Sequence, residues 1–294
     1  MRAGILFIKR IYTSLALAAL VCFLPPHSLA LGNITSDSSI DWENGTLTIN
    51  ARADLSSSGI NLLNARNKAE LAIDQRLVLL LRDALFPVPV DSYTLVKDLV
   101  QQKPELLDSF ESIAAKGRKV LSHLTRDLAA FTVQYVYSLY PDIITPFLEH
   151  HNAFQPPRLL GFEPTNQFSG IVIYMKGEFP VYGENKKAGL IPCFFPKIFD
   201  QDMNLVASAE MTSTEAMLQW GFAAYTSSLD EKPYSTRIGL TPLRTLGIGI
   251  FGKNKTDIII PNETARKILA SEKNLDLIRK GKILVICDLE KTKE

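Results

Sequence analysis

Residues 246–261 read LGIGIFGKNKTDIIIP, and the fold turns on whether these glycines open into a helix or into a strand. Gly247, Gly249 and Gly252 spell G-x-G-x-x-G, while Gly247 to Lys253 spells G-x-x-x-x-G-K. Either signature holds a phosphate only where its loop follows a strand and runs directly into a helix, because the free amides of the helix N-terminus supply the binding. Here Gly252-Lys253-Asn254-Lys255 runs into Thr256-Asp257-Ile258-Ile259-Ile260 and stops at Pro261. That β-branched run favours a strand, and Asn254 lacks the hydroxyl a P-loop places on magnesium. The stretch predicts a strand–loop–strand hairpin with a basic tip and no nucleotide partner.

Downstream, residues 262–270 and 275–280 read as helices and 283–287 as a closing apolar strand, so strand, helix and strand predict an α/β unit. Upstream, 171–174 and 218–225 read as further buried strands. These make a C-terminal α/β domain over 166–294. Pro156, Pro157 and Pro164 cluster in 152–165, which reads as a linker. Before it, 31–151 forms an N-terminal domain. There Asn44-Gly45 between 40–43 and 46–53 is a strong hairpin signal, because both residues tolerate positive φ. After the Ser-rich loop at 56–59, Ala65, Ala69, Ala72, Ile73, Leu77, Leu80, Leu81 and Ala84 share one face of a predicted helix over 62–86, and the alanines at 65, 69 and 72 let it sit close on a sheet. Shorter helical patterns cover 93–101 and 104–115. Phe131, Val133, Tyr135 and Tyr137 alternate with Thr132, Gln134, Val136 and Ser138 as in a half-buried strand that Tyr140-Pro141 ends. The fold class is α+β/α/β: two small mixed domains, each with a sheet packed by helices, after a cleaved signal peptide.

That signal peptide is predicted over 1–30. Arg2, Lys9 and Arg10 precede the apolar run 11–24, and Ser28-Leu29-Ala30 offers a small-residue cleavage site. The run is shorter than the ~20 apolar residues of a spanning helix. Cys22 follows Val21 where a lipoprotein signal would place an acylated cysteine after a small residue, so acylation and retention as an anchor stay open beside cleavage. Cleavage lowers 32 Lys+Arg to 29 against 31 Asp+Glu, a balance that gives no electrostatic case for nucleic acid. Cys193 and Cys287 then remain, either paired or as buried thiols.

No catalytic, cofactor-binding or metal-binding set emerges. Asp200-Gln201-Asp202-Met203-Asn204 begins like a calcium loop, but Leu205 replaces the turn glycine and Met211 the bidentate acid, which predicts a solvated acidic turn. Glu149-His150-His151 reads as a surface cluster, because adjacent side chains diverge and His123 is the remaining mature histidine. H-E-x-x-H, C-x-x-C and G-x-S-x-G do not occur. Asn33, Asn44, Asn254 and Asn262 stand in Asn-x-Thr sequons and read as turn and cap residues, with Asn262 capping a helix.

Some of these segments resemble a known pattern. FSGIVIYMKGEF at 168–179, followed by LIPCFFPKIFDQDMNLV at 190–206, is similar to a strand of the type Y-T-G-L-I-I-D-A-R-G leading to P-x-x-x-P-K-I-Y-D-E in bacterial envelope proteins, with Gly170, Gly177, Pro192, Pro196, Lys197, Ile198 and Asp200 matching. TDIIIPNETARKILASEKNLDLIRKGKILVI at 256–286 resembles their companion segment through Asp257, Ile258, Ile260, Ala265, Ile268 and Leu269. The short strand pair and the Ala65, Arg66, Ala69, Ala72 helix resemble the N-terminal domain of the LPP-twenty lipoprotein and flagellar assembly protein T type. Tyr174 and Lys176 replace the Asp and Arg of D-A-R-G. The resemblance implies an exported, non-enzymatic structural or assembly protein of the periplasm or outer envelope of a bacterium, possible flagellum and membrane association included. Its partners would be other envelope or flagellar proteins or further copies of itself. An exported hydrolase or ligand-binding protein is the alternative.

Overall fold

The computed structural model describes residues 33–55, 62–149, 152–159 and 163–289. The signal-peptide segment with Cys22, the loop at 56–59 and His150-His151 lie outside the described residues.

In the N-terminal half, β1 (Ile34–Asp41) and β2 (Thr46–Asp54) form the predicted antiparallel hairpin, and Gly45 takes a φ of 63°. The turn is wider than predicted. Trp42 and Glu43 belong to it and not to the first strand, because the Asp41 carboxylate accepts the Asn44 backbone N–H at 2.9 Å and its side-chain N–H at 2.7 Å, closing the loop at Asp41. Helix α1 (Leu62–Leu85) follows, then α2 (Val96–Gln102) and α3 (Leu106–Ala114). The α1 face carrying Ala65, Ala69, Ile73 and Leu81 is buried, and the alanines let it approach the sheet closely.

Strands β3 (Arg118–Leu124) and β4 (Ala130–Ser138) complete an antiparallel sheet in the order β1-β2-β4-β3. The predicted alternation holds in β4, with Phe131, Val133, Tyr135 and Tyr137 buried. Strand β3 is an addition to the sequence reading. RKVLSHL carries no period-two pattern because an edge strand is held by its backbone ladder, not by burial of one face.

The C-terminal half opens with the central strand β5 (Ile171–Met175) and a small hairpin of β6 (Phe179–Pro180) and β7 (Lys187–Ala188). There follow β8 (Ile198–Phe199), β9 (Leu205–Ala207), α4 (Thr214–Trp220), β10 (Ala224–Thr226), α5 (Ser235–Ile238), β11 (Leu243–Leu246), β12 (Gly249–Phe251) and β13 (Asp257–Ile259). Helices α6 (Asn262–Leu269) and α7 (Glu272–Arg279) lead into β14 (Ile283–Cys287). These strands build a parallel sheet, β10-β14-β5-β11, and a mixed sheet, β12-β13-β8-β9.

The predicted strand at 218–225 is half helix: Ser213 caps α4 by accepting the Ala216 N–H at 3.3 Å, and the strand starts only after Gly221, at φ 75°, has ended it. The predicted strand–helix–strand unit also spans two sheets, since β13 pairs with β12 and β8 while β14 inserts between β10 and β5. Every residue of β14 is buried, as a central parallel strand requires.

One apolar cluster runs from Leu47, Ile49 and Leu85 through Phe147 and Phe194 to Ile173 and Val285. The Pro-rich stretch at 152–165 therefore links two mixed α/β halves that share a core.

Candidate functional site

In an open α/β sheet, the crevice beyond the carboxyl ends of the strands is the usual place for a ligand. Here the N-terminal hairpin turn reaches the carboxyl end of the edge strand β10. Trp42 meets Phe194 edge-on at 5.4 Å between ring centroids and Tyr225 at 5.7 Å, and Phe147 stacks on Phe194 at 6.1 Å. Beside it the Glu43 carboxylate accepts the Thr226 hydroxyl at the end of β10, with Tyr234 Oη at 3.4 Å and Ser227 Oγ at 3.5 Å. These hydroxyls and aromatic faces hold the chain's own turn. Tyr225 is sealed further in: its hydroxyl donates to the Cys193 carbonyl at 3.2 Å, and burial raises its pKa well above that of a free phenol.

A depression of about 320 Å³ remains at the seam between the halves, lined in part by Trp42, Glu43, Tyr140, Trp220, Tyr234 and Arg237. Arg237 is 6% exposed and has carbonyls for partners: its guanidinium donates to Gly281 O at 2.7 Å and to Trp220 O and Gly221 O at 2.8 Å. Those oxygens belong to the last residue of α4 and to residues just past α4 and α7, where helix dipoles concentrate negative potential. Desolvation lowers the Arg237 pKa to about 10, so the side chain stays cationic at neutral pH. Its charge ties two helix ends together. Gly221 completes the seam, because a Cβ there would stand 2.4 Å from the Tyr140 ring.

A second depression, of about 340 Å³, lies on the N-terminal sheet face opposite α1. It is a polar ladder across strands: Asn50 donates to Asp37 at 2.9 Å, Gln134 donates to Asn50 at 2.8 Å, and Thr132 Oγ1 stands 3.1 Å from His123 Nε2.

The features singled out in the sequence fall elsewhere. The 246–261 stretch forms the β12–β13 hairpin. Its tip is not free, because Asn254 donates from its backbone to Ser92 O and from its side chain to Asp91 O, each at 2.9 Å. In the acidic turn, Asp200 Oδ1 accepts the backbone N–H groups of Asp202 and Asn204 at 3.0 and 2.8 Å. Asn262 is the first residue of α6, not its cap. It faces that acidic turn, donating to Asp202 at 2.8 Å, while Pro261 occupies the cap position. Cys193 and Cys287 are separate buried thiols, and burial pushes the Cys287 thiol up to about 12. Glu149 pairs with Lys103 at 2.6 Å. Where the D-A-R-G pattern has Asp and Arg, Tyr174 donates to Glu231 at 2.6 Å, Arg244 holds the same carboxylate at 2.7 Å, and Lys176 donates to Ser227 O at 2.7 Å. Arg244 keeps the Glu231 carboxyl below its ordinary pKa.

The sequence reading missed Trp42, Glu43 and Arg237 as seam residues. An aromatic and an acid placed on a hairpin turn were the available signal, since a turn seldom exposes Trp without something to cover it.

Fold and seam together define a two-domain mixed α/β protein whose N-terminal hairpin turn packs against the edge strand β10 of its C-terminal sheet. Residues 33–146 match the family model described as Treponema pallidum Tp0624, N-terminal domain, and residues 170–289 match the one described as Treponema pallidum Tp0624, second domain. The two matches lie on either side of the Pro-rich stretch. No curated protein matches the chain.

Proposed function

We propose that the chain is an exported, non-enzymatic envelope protein that acts as a structural or assembly component, after removal of a signal peptide over 1–30. The observation that carries this reading is the seam between the halves, where Trp42 packs on Phe194 and Tyr225 and Glu43 accepts the Thr226 hydroxyl. A chain that joins its halves across that region presents outer sheet edges and faces to other molecules. The resemblance to envelope proteins of the LPP-twenty and flagellar assembly type supports the same reading and suggests envelope or flagellar components as partners.

Crosslinking in whole cells of the host, followed by mass spectrometry, tests it. Reproducible links to envelope or flagellar components are expected, on a chain whose intact mass begins at Leu31. The competing reading, an exported hydrolase or ligand-binding protein, gains if such links do not form while the purified chain turns over a defined substrate and loses that activity on Glu43→Gln.

A further inference from the structure

We propose that the N-terminal sheet continues from one copy of this chain to the next, β1 of one molecule pairing with β3 of another. The inference deepens the assembly reading by naming a second copy as a partner, and it stands on the two outer strands. In the order β1-β2-β4-β3 each neighbouring pair is antiparallel, so β1 and β3 run in opposite directions. A second molecule in the same orientation thus brings its β3 antiparallel to β1 of the first. Among the described residues, the outer backbone edges of 34–41 and 118–124 carry no hydrogen bonds beyond their own sheet.

Charge selects this pairing over like-with-like contacts. Strand β1 carries Asp37 and Asp41 and no base, while β3 carries Arg118, Lys119 and His123 and no acid. Lys119 is already engaged by Glu70 at 2.7 Å, toward α1. On the opposite, open face the residues of β3 are His123, Leu121 and Arg118, because a register shift between Lys119 and Leu121 leaves Val120 as an extra residue and brings Arg118 opposite Val136. Without that bulge the third position would be Lys119. On β1 the same face presents Asp37, Ser39 and Asp41, paired in register with Asn50, Thr48 and Thr46. One antiparallel register then puts Asp37 against His123, Ser39 against Leu121, and Asp41 against Arg118. Asp41 then meets a fixed cation, and Asp37 a ring that can donate a hydrogen bond. Opposite charges set directly across a ladder stabilise it, and like charges there disfavour β1–β1 and β3–β3 contacts. The contact is head-to-tail, so it builds a ring or an open filament and not a twofold dimer.

The test is sedimentation velocity on the purified full chain as its host produces it, over a range of concentration and salt, with hydrogen exchange as a second readout. Concentration-dependent growth beyond a dimer is expected, weakened by salt, with slower exchange at 35–41 and 118–124. Asp41→Arg alone and Arg118→Asp alone should each raise the concentration for half-association roughly tenfold or more, as expected when an attractive contact becomes repulsive. Mixing the two variant chains should restore assembly, because each then offers the strand the other lacks. Should Asp41→Arg disturb the turn that Asp41 closes, seen as a changed circular dichroism spectrum, Asp37→Arg with His123→Glu repeats the exchange at the other end of the register. A wild-type chain that stays monomeric, a mixture that does not recover, or protection confined to other segments overturns self-pairing. Such a result leaves crosslinks to other envelope components standing, so the two readings fail separately.

Discussion

Asp257 begins β13 with a carboxylate that is 1% exposed. Its Oδ1 accepts the Lys197 N–H at 2.9 Å, its Oδ2 is buried without a hydrogen-bond partner, and burial pushes the group up to about 6. The folded value thus lies above the ordinary carboxylate range near 4, so between these pH values the folded chain holds a proton that the unfolded chain has lost. The favourable contribution is complete below the unfolded pKa and disappears as pH rises through about 6. We expect this group to lower stability by on the order of 2–3 kcal/mol between pH 4 and pH 7. Asp257→Asn should flatten that part of the profile in urea unfolding series, and an unchanged profile would assign the slope to other groups. Nothing in TDIII reveals this burial, because the elements that cover the strand start are distant in sequence. Arg237 was hidden for the same reason, since its partners are backbone carbonyls, which carry no sequence signature.

At the scale of elements, the β12–β13 hairpin shows how far local chemistry reaches. Glycines followed by a β-branched run predicted strand–loop–strand, and that is the geometry found. The loop's docking on Ser92 was not legible. Gly252 has a φ of 92°, and a Cβ there would lie 2.3 Å from Ser92 Cβ, so Gly252→Ala should cost at least about 2 kcal/mol in denaturant unfolding through both backbone strain and displaced contact. Lys253 is exposed, and Lys253→Ala should change stability by less than about 0.5 kcal/mol. Equal costs for the two would mean that the hairpin does not dock. The turn between β1 and β2 carries a parallel expectation. Trp42→Ala removes the ring packed on Phe194 and Tyr225 and should destabilise by about 3 kcal/mol, read from the same experiment. Amphipathic elements such as α1 and β4 were readable because each buries one face at a fixed period. Strand β3 and the helical half of 218–225 were not, since an exposed edge needs no pattern and a short apolar helix looks like a short apolar strand.

For the whole molecule, the shared core changes what the Pro-rich stretch means. Composition marks a boundary there but does not report whether the flanking halves bury surface against each other. Trp42, Phe147, Asp91 and Ser92 contact the C-terminal half directly, so both halves should unfold in one transition. Proteolysis within 152–159, which has no helix or strand, should give two fragments that stay together in native gel filtration. Fragments that separate without denaturant and melt independently would show that the seam is weak.

The place of β14 has a consequence in time. A ribosome delivers this strand after β5, β10 and β11, yet it occupies the middle of their sheet, between β10 and β5. Until it arrives, β5 can pair with β11, but β10 has no neighbour. The growing polypeptide is thereby kept from closing its C-terminal half early, and the long sequence separations it must bridge make this a slow step.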